Sequence, residues 1–149
     1  ELQFATGRYM RYPQLQHAFE IDDVCGIVRL NYEQKVTFYN GDDQLSAGLR
    51  LHCTGGHSAG LQFVSVHTKR GWVVLASDAS HYYEHMESYR PFTIAFHVGE
   101  MMESFDKLKK TAPSLSHIIP GHDPRVMEKY PAVEGQDGLM VRLDESPKE

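Results

Sequence analysis

Three turns in the sequence each carry a side chain that could bind a metal ion. His57 lies in a glycine-rich turn at 54–60, Asp78 follows an apolar run that ends at residue 77, and His122 lies in a Pro-Gly-His-Asp turn at 120–123. Glycine lets the backbone turn sharply and approach an ion closely, and a sheet holds the residues at its strand ends rigidly. The three side chains are therefore candidates for one shared site.

Two imidazoles and one carboxylate form a donor set that suits zinc, iron or manganese. Each residue also has an ordinary structural use, because His57 and His122 could be solvated turn residues and Asp78 could cap a helix or form a turn. Three such turns in series favour a single site. If their strands share one sheet edge, the side chains converge with Asp78 between the two histidines.

The pattern of apolar residues predicts a sheet covered by helices. Period-two or continuous apolar runs predict strands, of which the third and fourth form a hairpin. The predicted strands are 36–39, 49–53, 61–66, 72–76, 116–119 and 139–143. Helical spacing predicts a helix capped by Asp22 or Asp23, helices at 99–112 and 124–129, and a loop at 78–91. This alternation places the chain in the α/β or α+β class.

Composition excludes several classes of protein. The chain has 149 residues, 41% of them hydrophobic, with a formal net charge of -5, so a general nucleic-acid binder is disfavoured. The longest apolar run, 72–76, is far shorter than a membrane span. Cys25 and Cys53 are expected to be free thiols in the core, which favours a cytoplasmic protein.

The strings GHSAG at 56–60, SDAS at 77–80 and PGHD at 120–123 resemble the second half of the metallo-β-lactamase superfamily, and within it the N-acyl homoserine lactonase-like group. The resemblance covers residues 2 to 131. It implies an αββα sandwich, of which this chain supplies mainly the C-terminal sheet and helices. Residues 1–149 are then the C-terminal part of a single domain, with 144–149 as a flexible tail.

The family's site holds two divalent metal ions, and the resemblance implies zinc, with iron or manganese as alternatives. By motif match, His57 completes the histidine set of the first metal, Asp78 bridges both, and His122 binds the second. The family's His-x-His-x-Asp-His string does not occur in this sequence. The chain is therefore expected to be a fragment that needs the N-terminal half of the same fold and is inactive alone.

The chain departs from the family just after Asp78. Lactonases of this group often place a tyrosine three residues after the aspartate, where it donates to the substrate carbonyl. Here that position is His81, followed by Tyr82. Either side chain could take the catalytic role, or both could be loop-packing aromatics.

The resemblance implies a hydrolase of lactones or esters that uses a metal-bound hydroxide, the activity of a quorum-quenching lactonase. Its expected partners are a small-molecule substrate and the N-terminal half, with no nucleic acid and no membrane, and a homodimer is a further expectation. Two alternatives are another reaction of the fold, such as thioester hydrolysis, and a non-catalytic binding or dimerisation module with a vacant metal site. Among the other histidines, His17 and His117 have no ligand spacing, His85 and His97 could line a pocket, and His52 and His67 are expected to face solvent.

Overall fold

The computed structural model describes residues 1–148, which divide into two compact units, residues 1–40 and the chain from Gly41 on. The first unit is helical. Its α-helices are α1 (Leu2–Ala5), α2 (Pro13–Gln16) and α3 (Ile21–Tyr32), with a 3-10 turn at Arg8–Arg11. Within the described residues, none of these helices contains a buried side chain.

Three expectations for the first unit are wrong. The segment 36–39 is not a strand and has no regular structure. Helix α3 begins at Ile21 with Glu20 at its N-cap, so Asp22 and Asp23 lie in the first turn, where carboxylates favour the helix dipole. Cys25 is an exposed free thiol and not a core residue, because α3 buries no face. In the second unit, Cys53, which was also expected in the core, is only partly buried.

The second unit contains a five-stranded mixed sheet, which confirms the α+β class. Its strands follow one another in chain order, antiparallel from β1 to β4, with β5 parallel to β4. The strands are β1 (Asp43–Ser46), β2 (Leu49–Cys53), β3 (Gln62–Thr68), β4 (Gly71–Ser77) and β5 (Ile118–Pro120). The predicted hairpin joins β3 and β4. The predicted strand at 139–143 is reduced to a single bridge between Val141 and Ala132.

Helices cover one face of this sheet. The helix predicted at 99–112 is α5 (Val98–Thr111), and the helix predicted at 124–129 is α6 (Arg125–Lys129). The segment 78–91 is not simply a loop, because α4 (Tyr83–Ser88) lies within it. The buried core between helices and sheet includes Phe63, Val74, Ala76, Tyr83, Met86, Met101, Phe105, Leu108 and Ile118. No helix among the described residues has both the length and the apolar composition needed to cross a membrane.

The opposite face of the sheet is apolar but less covered. Register places Leu49, Leu51, Val64, Val66 and Leu75 on this face, and of these only Leu51 is buried. A small cluster of Val73, Ile119 and Tyr130 covers one end of it. The face therefore presents a half-buried aliphatic surface.

The strand directions bring all three predicted turns to one edge of the sheet. Because β4 and β5 are parallel, their carboxyl ends, and with them Asp78 and His122, lie at the same edge. Antiparallel pairing puts the end of β2 and the start of β3 at that edge as well. The turn between β2 and β3 carries His57.

A polar network holds the end of β2 to α5. The Asp42 carboxylate accepts hydrogen bonds from the Cys53 amide at 3.0 Å and from Lys107 Nζ at 2.6 Å. His52 is buried rather than facing solvent, because its ring bonds to Ser65 Oγ at 2.8 Å and stacks on Phe63. His67 is exposed, as predicted. The network fixes the strand end that leads into the His57 turn.

The Asp42 network predicts a loss of stability in acid. Burial alone would raise the pKa of the Asp42 carboxyl, but hydrogen bonds from Lys107, the Cys53 amide and His52 lower it below its ordinary value. The carboxylate therefore stabilises the fold above the unfolded-chain pKa of about 3.9, and this contribution is lost as pH falls through the lower folded-state pKa. Since Asp42 is half exposed, we expect less than about 1 kcal/mol.

Denaturant titrations between pH 2 and 6 measure this contribution. Asp42→Asn should flatten the acid limb of the unfolding free energy, whereas Asp137→Asn, at an exposed turn position, should leave it unchanged. An Asp42→Asn profile parallel to that of the parent chain would contradict the assignment.

Gly56 allows the His57 turn to pack directly on α5. It has φ +97, and a Cβ there would lie 2.4 Å from Met101 Cα. Gly71 has nearly the same φ, +98, but a Cβ there would meet nothing within 4 Å. Substituting each glycine by alanine therefore compares backbone strain alone, at Gly71, with backbone strain plus a steric clash, at Gly56.

We expect Gly71→Ala to cost roughly 1 kcal/mol of unfolding free energy, from left-handed strain alone. Gly56→Ala should cost more, about 2 kcal/mol or above, because α5 must also move. Urea unfolding of both variants measures the difference. Equal losses would show that the turn does not depend on close approach to α5.

Candidate metal centre

Asp78 leaves the sheet through a tight, strained turn. Ser77, the last residue of β4, has a left-handed φ of 48, unusual for a residue with a side chain. The turn at Gly121 packs against it, because a Cβ on Gly121 would lie 2.6 Å from the Ser77 carbonyl oxygen. Glycine is therefore required where the two turns meet.

Backbone hydrogen bonds join these two turns. The Gly121 amide donates to the Ser80 carbonyl at 3.0 Å, and the His122 amide donates to the His81 carbonyl at 2.9 Å. Asp78, His81 and His122 are thus positioned by main-chain contacts.

The side chains meet around the Asp78 carboxylate. His122 Nε2 lies 2.7 Å from Asp78 Oδ1, and His81 Nε2 lies 3.3 Å from the same oxygen. His57, Asp78 and His81 each offer one ligand atom, and these atoms all lie within 4.8 Å of one another. The structure therefore brings together the three residues predicted as metal ligands and adds His81 to them.

His57 is oriented by its second ring nitrogen. Nδ1 lies 2.9 Å from the carbonyl oxygen of Ile94, and because a carbonyl only accepts, Nδ1 carries the proton. The amides of Phe96 and His97 donate to the Gly56 carbonyl at 2.7 and 2.9 Å, which holds the turn against segment 94–97. The Nε2 lone pair of His57 is left for an ion, the arrangement usual for ligating histidines.

His81 is partly buried and its ring is fixed. It stacks on Phe92 with ring centroids 3.9 Å apart, and its side chain is 15% exposed. Burial lowers the pKa of the His81 imidazole, and His122 lowers it further, against the opposing effect of Asp78. The neutral imidazole, the form that binds metals, is thereby favoured.

Tyr82 lies at the margin of this cluster. Its side chain is exposed, and its ring meets that of His85 edge to face at 5.1 Å. The Tyr82 amide donates to His85 Nδ1 at 3.3 Å, and burial lowers the pKa of the His85 imidazole. The structure thus places Tyr82 next to His85 on the solvent side, and not in contact with Asp78.

The residues present fit a divalent metal ion. His81 Nε2 is shielded from solvent, yet it finds no hydrogen-bond partner of acceptable geometry among the described residues. A buried polar atom without a partner is costly unless something binds it. Imidazole nitrogens and a carboxylate, with a fixed His57 tautomer, are the donor chemistry of zinc-type sites.

Two supporting residues had no signal in the sequence. Phe92 and the Ile94 carbonyl lie in segment 91–97, which has no regular structure and no motif. Other histidines have structural partners instead: His97 caps α5 by accepting from the Glu100 amide, and His117 bonds to Ser114 and to the Arg70 carbonyl.

No protein-family model matches the chain. Individual relatives do: an N-acyl homoserine lactonase of Bacillus sp is 32% identical over 114 residues, 75% of this chain and 44% of the relative. The N-acyl homoserine lactonase AiiA of Bacillus thuringiensis subsp. kurstaki matches with the same identity and coverage. The chain thus spans less than half the length of the curated relatives it matches.

Solved structures agree with these relatives. An N-acyl homoserine lactone hydrolase with N-hexanoyl-L-homoserine bound at its catalytic metal centre superposes with a TM-score of 0.55 at 31% identity, covering 62% of this chain and 37% of that one. AidC, a dizinc quorum-quenching lactonase, superposes with a TM-score of 0.56 over 83% of this chain and 43% of its own; at 15% identity this shows the fold alone. The chain is therefore similar to N-acyl homoserine lactonases over three quarters of its own length, and it shares their metallo-β-lactamase-like fold.

Proposed function

We propose that this chain contributes one half of the active site of a metal-dependent hydrolase that opens the ring of N-acyl homoserine lactones. One observation carries the proposal: two imidazole nitrogens converge on a single oxygen of Asp78, with His57 completing a ligand group at the same sheet edge. Relatives named as lactonases over 75% of the chain support the substrate class.

In this proposal His57, Asp78 and His122 would hold two divalent ions, and zinc is the expected metal. Asp78 would be shared by both ions, because its carboxylate lies against His81 and His122 and would supply the negative charge that two adjacent cations require. When bound, such ions supply Lewis acidity toward a carbonyl and lower the pKa of water to near neutrality. The neutral imidazoles complete the shells without adding charge.

The carbonyl oxygen of the lactone needs a hydrogen-bond donor as negative charge develops on it. We propose His81 or Tyr82 for this role, because both follow Asp78 directly in the chain. The imidazole of His81 lies against Asp78, while the side chain of Tyr82 is exposed.

Two ions need more ligands than this chain supplies, so the proposed partner is an amino-terminal half that carries the His-x-His-x-Asp-His string. The half-buried aliphatic face of the sheet supports this, because a sandwich packs its two sheets through such faces. Both cysteines are free, which supports a reducing compartment such as the cytoplasm.

Asp78→Asn tests the site. In the protein that joins this chain to the amino-terminal half, we expect hydrolysis of N-hexanoyl-L-homoserine lactone to fall at least about 100-fold, because a neutral amide replaces the bridging charge. Acid release in a pH-stat measures the rate. Asp137→Asn, the same change at an exposed turn, should keep full activity, and the 149-residue chain alone should show no turnover. Full activity of Asp78→Asn would refute the proposal.

Tyr82→Phe tests the hydroxyl donor. If Tyr82 stabilises the developing oxyanion, removal of its hydroxyl should lower kcat roughly 100-fold with the metal content unchanged. Steady-state kinetics and metal analysis of the joined protein measure both quantities, with Tyr32→Phe, at an exposed position in the first unit, as the control. An unchanged kcat would exclude Tyr82 from this role.

A further inference from the structure

His81 occupies a position that the family resemblance would give to a carbonyl-binding tyrosine, but its surroundings are those of a ligand. Its ring is held flat on Phe92 at 3.9 Å, and its main-chain carbonyl accepts from the His122 amide. The stacking holds the plane of the ring, and the main-chain hydrogen bond holds the backbone of His81 beside His122. A donor to a substrate carbonyl would face the open side of the site, whereas His81 Nε2 faces Asp78.

The environment of this nitrogen is specific. Nε2 is shielded from water and lies 3.3 Å from Asp78 Oδ1 without hydrogen-bond geometry. The same oxygen is 2.7 Å from His122 Nε2, so it already has a closer partner. A buried nitrogen left unpaired in this way destabilises the fold, and an ion between it and the carboxylate would remove that cost.

The distances permit one ion among three donors. Ligand atoms about 2.0–2.2 Å from one ion lie no more than about 4.4 Å apart. The ligand atoms of His57, Asp78 and His81 lie within 4.8 Å of one another, so they need to close by only a few tenths of an ångström. His57 presents its Nε2 lone pair because its Nδ1 proton is bound by Ile94.

We propose that His81 is a protein ligand and that, with His57 and Asp78, it holds one divalent cation of the zinc class within this chain alone. Three protein ligands with an open fourth position are the arrangement of catalytic zinc sites. The proposal rests on the proposed function in assigning metal ligation to His57 and Asp78. It also decides between the two proposed carbonyl donors, because His81 would bind the ion and Tyr82 would remain as the donor.

Imidazole nitrogen NMR tests this directly. The 149-residue chain, labelled with ¹⁵N, is titrated with zinc, and the ring resonances of His57 and His81 should move together to the positions of ligated nitrogens at one equivalent. A His81 Nε2 resonance that stays in place at saturation overturns the proposal, as does a chain that binds no zinc. This measurement needs no variant and therefore does not depend on a substitution being tolerated.

Variants supply the second readout, by cobalt absorption titration of the same chain. His81→Phe, which keeps the stacking on Phe92, and His81→Tyr should each weaken cobalt binding at least tenfold. His85→Phe is the matched control, since His85 also stacks on Phe92, at 4.9 Å, but lies outside the ligand group, and its affinity should stay within twofold. Circular dichroism checks that each variant is folded.

The outcomes separate this inference from the proposed function. If His81→Phe binds cobalt as tightly as the parent chain while Asp78→Asn abolishes lactone hydrolysis in the joined protein, the ligand role of His81 fails and the lactonase stands. If the Asp78→Asn variant hydrolyses lactone as fast as the parent protein, the proposed function fails, and the cobalt titration still decides separately whether His81 is a ligand.

Discussion

The parallel pairing of β4 with β5 is the contact on which the candidate site depends. An antiparallel β5 would send its carboxyl end to the opposite edge of the sheet, and His122 with it. Parallel register instead aligns Ser77 with Pro120, so the two following turns emerge side by side. Gly121 allows the two turns to pack closely, because a larger residue there would collide with the Ser77 carbonyl.

The third candidate ligand, His57, is positioned by a different set of contacts. His57 is held by the packing of Gly56 on α5 and by the hydrogen bonds of segment 94–97, and neither of these involves β5. Helix α5 is itself anchored in the main core through Met101, Phe105 and Leu108. The site is therefore assembled by two rigid supports, a pair of strand ends and a helix, that meet at one sheet edge. Rigid supports suit metal ligation, because small errors in ligand position weaken binding.

The sequence predicted the elements that have a strong local signal. The hairpin of β3 and β4 and the helix α5 have clear periodicity, and their positions are confirmed to within a few residues. The segments 36–39 and 139–143 were predicted as strands, but neither pairs with a strand of the described sheet. A local apolar pattern does not show whether a segment will find a neighbouring strand to pair with. The prediction that His52 faces solvent is wrong for a related reason, because its burial depends on Ser65 and Asp42, which are distant in sequence.

For the site, the turns bearing His57, Asp78 and His122 could be found from glycine placement and strand ends, while the supports could not. Phe92 and Ile94 belong to an irregular segment whose contacts with His81 and His57 arise only in the folded chain. Whether His81 is a ligand or a donor also depends on ring orientation, which a position in a motif does not specify.

Charge explains why this cluster calls for a cation. The Asp78 carboxylate brings a negative charge to a half-buried edge of the sheet, and a hydrogen bond with His122 at 2.7 Å does not by itself cancel that charge. A divalent ion would satisfy the carboxylate and the unpaired nitrogen of His81 at once, and it would offset their partial desolvation. Two such ions would exceed the donors available in this chain, because one carboxylate cannot balance four positive charges. A second ion would therefore need further acidic or histidine ligands beyond the side chains of this cluster, and the chain covers 44% of the length of its lactonase relatives.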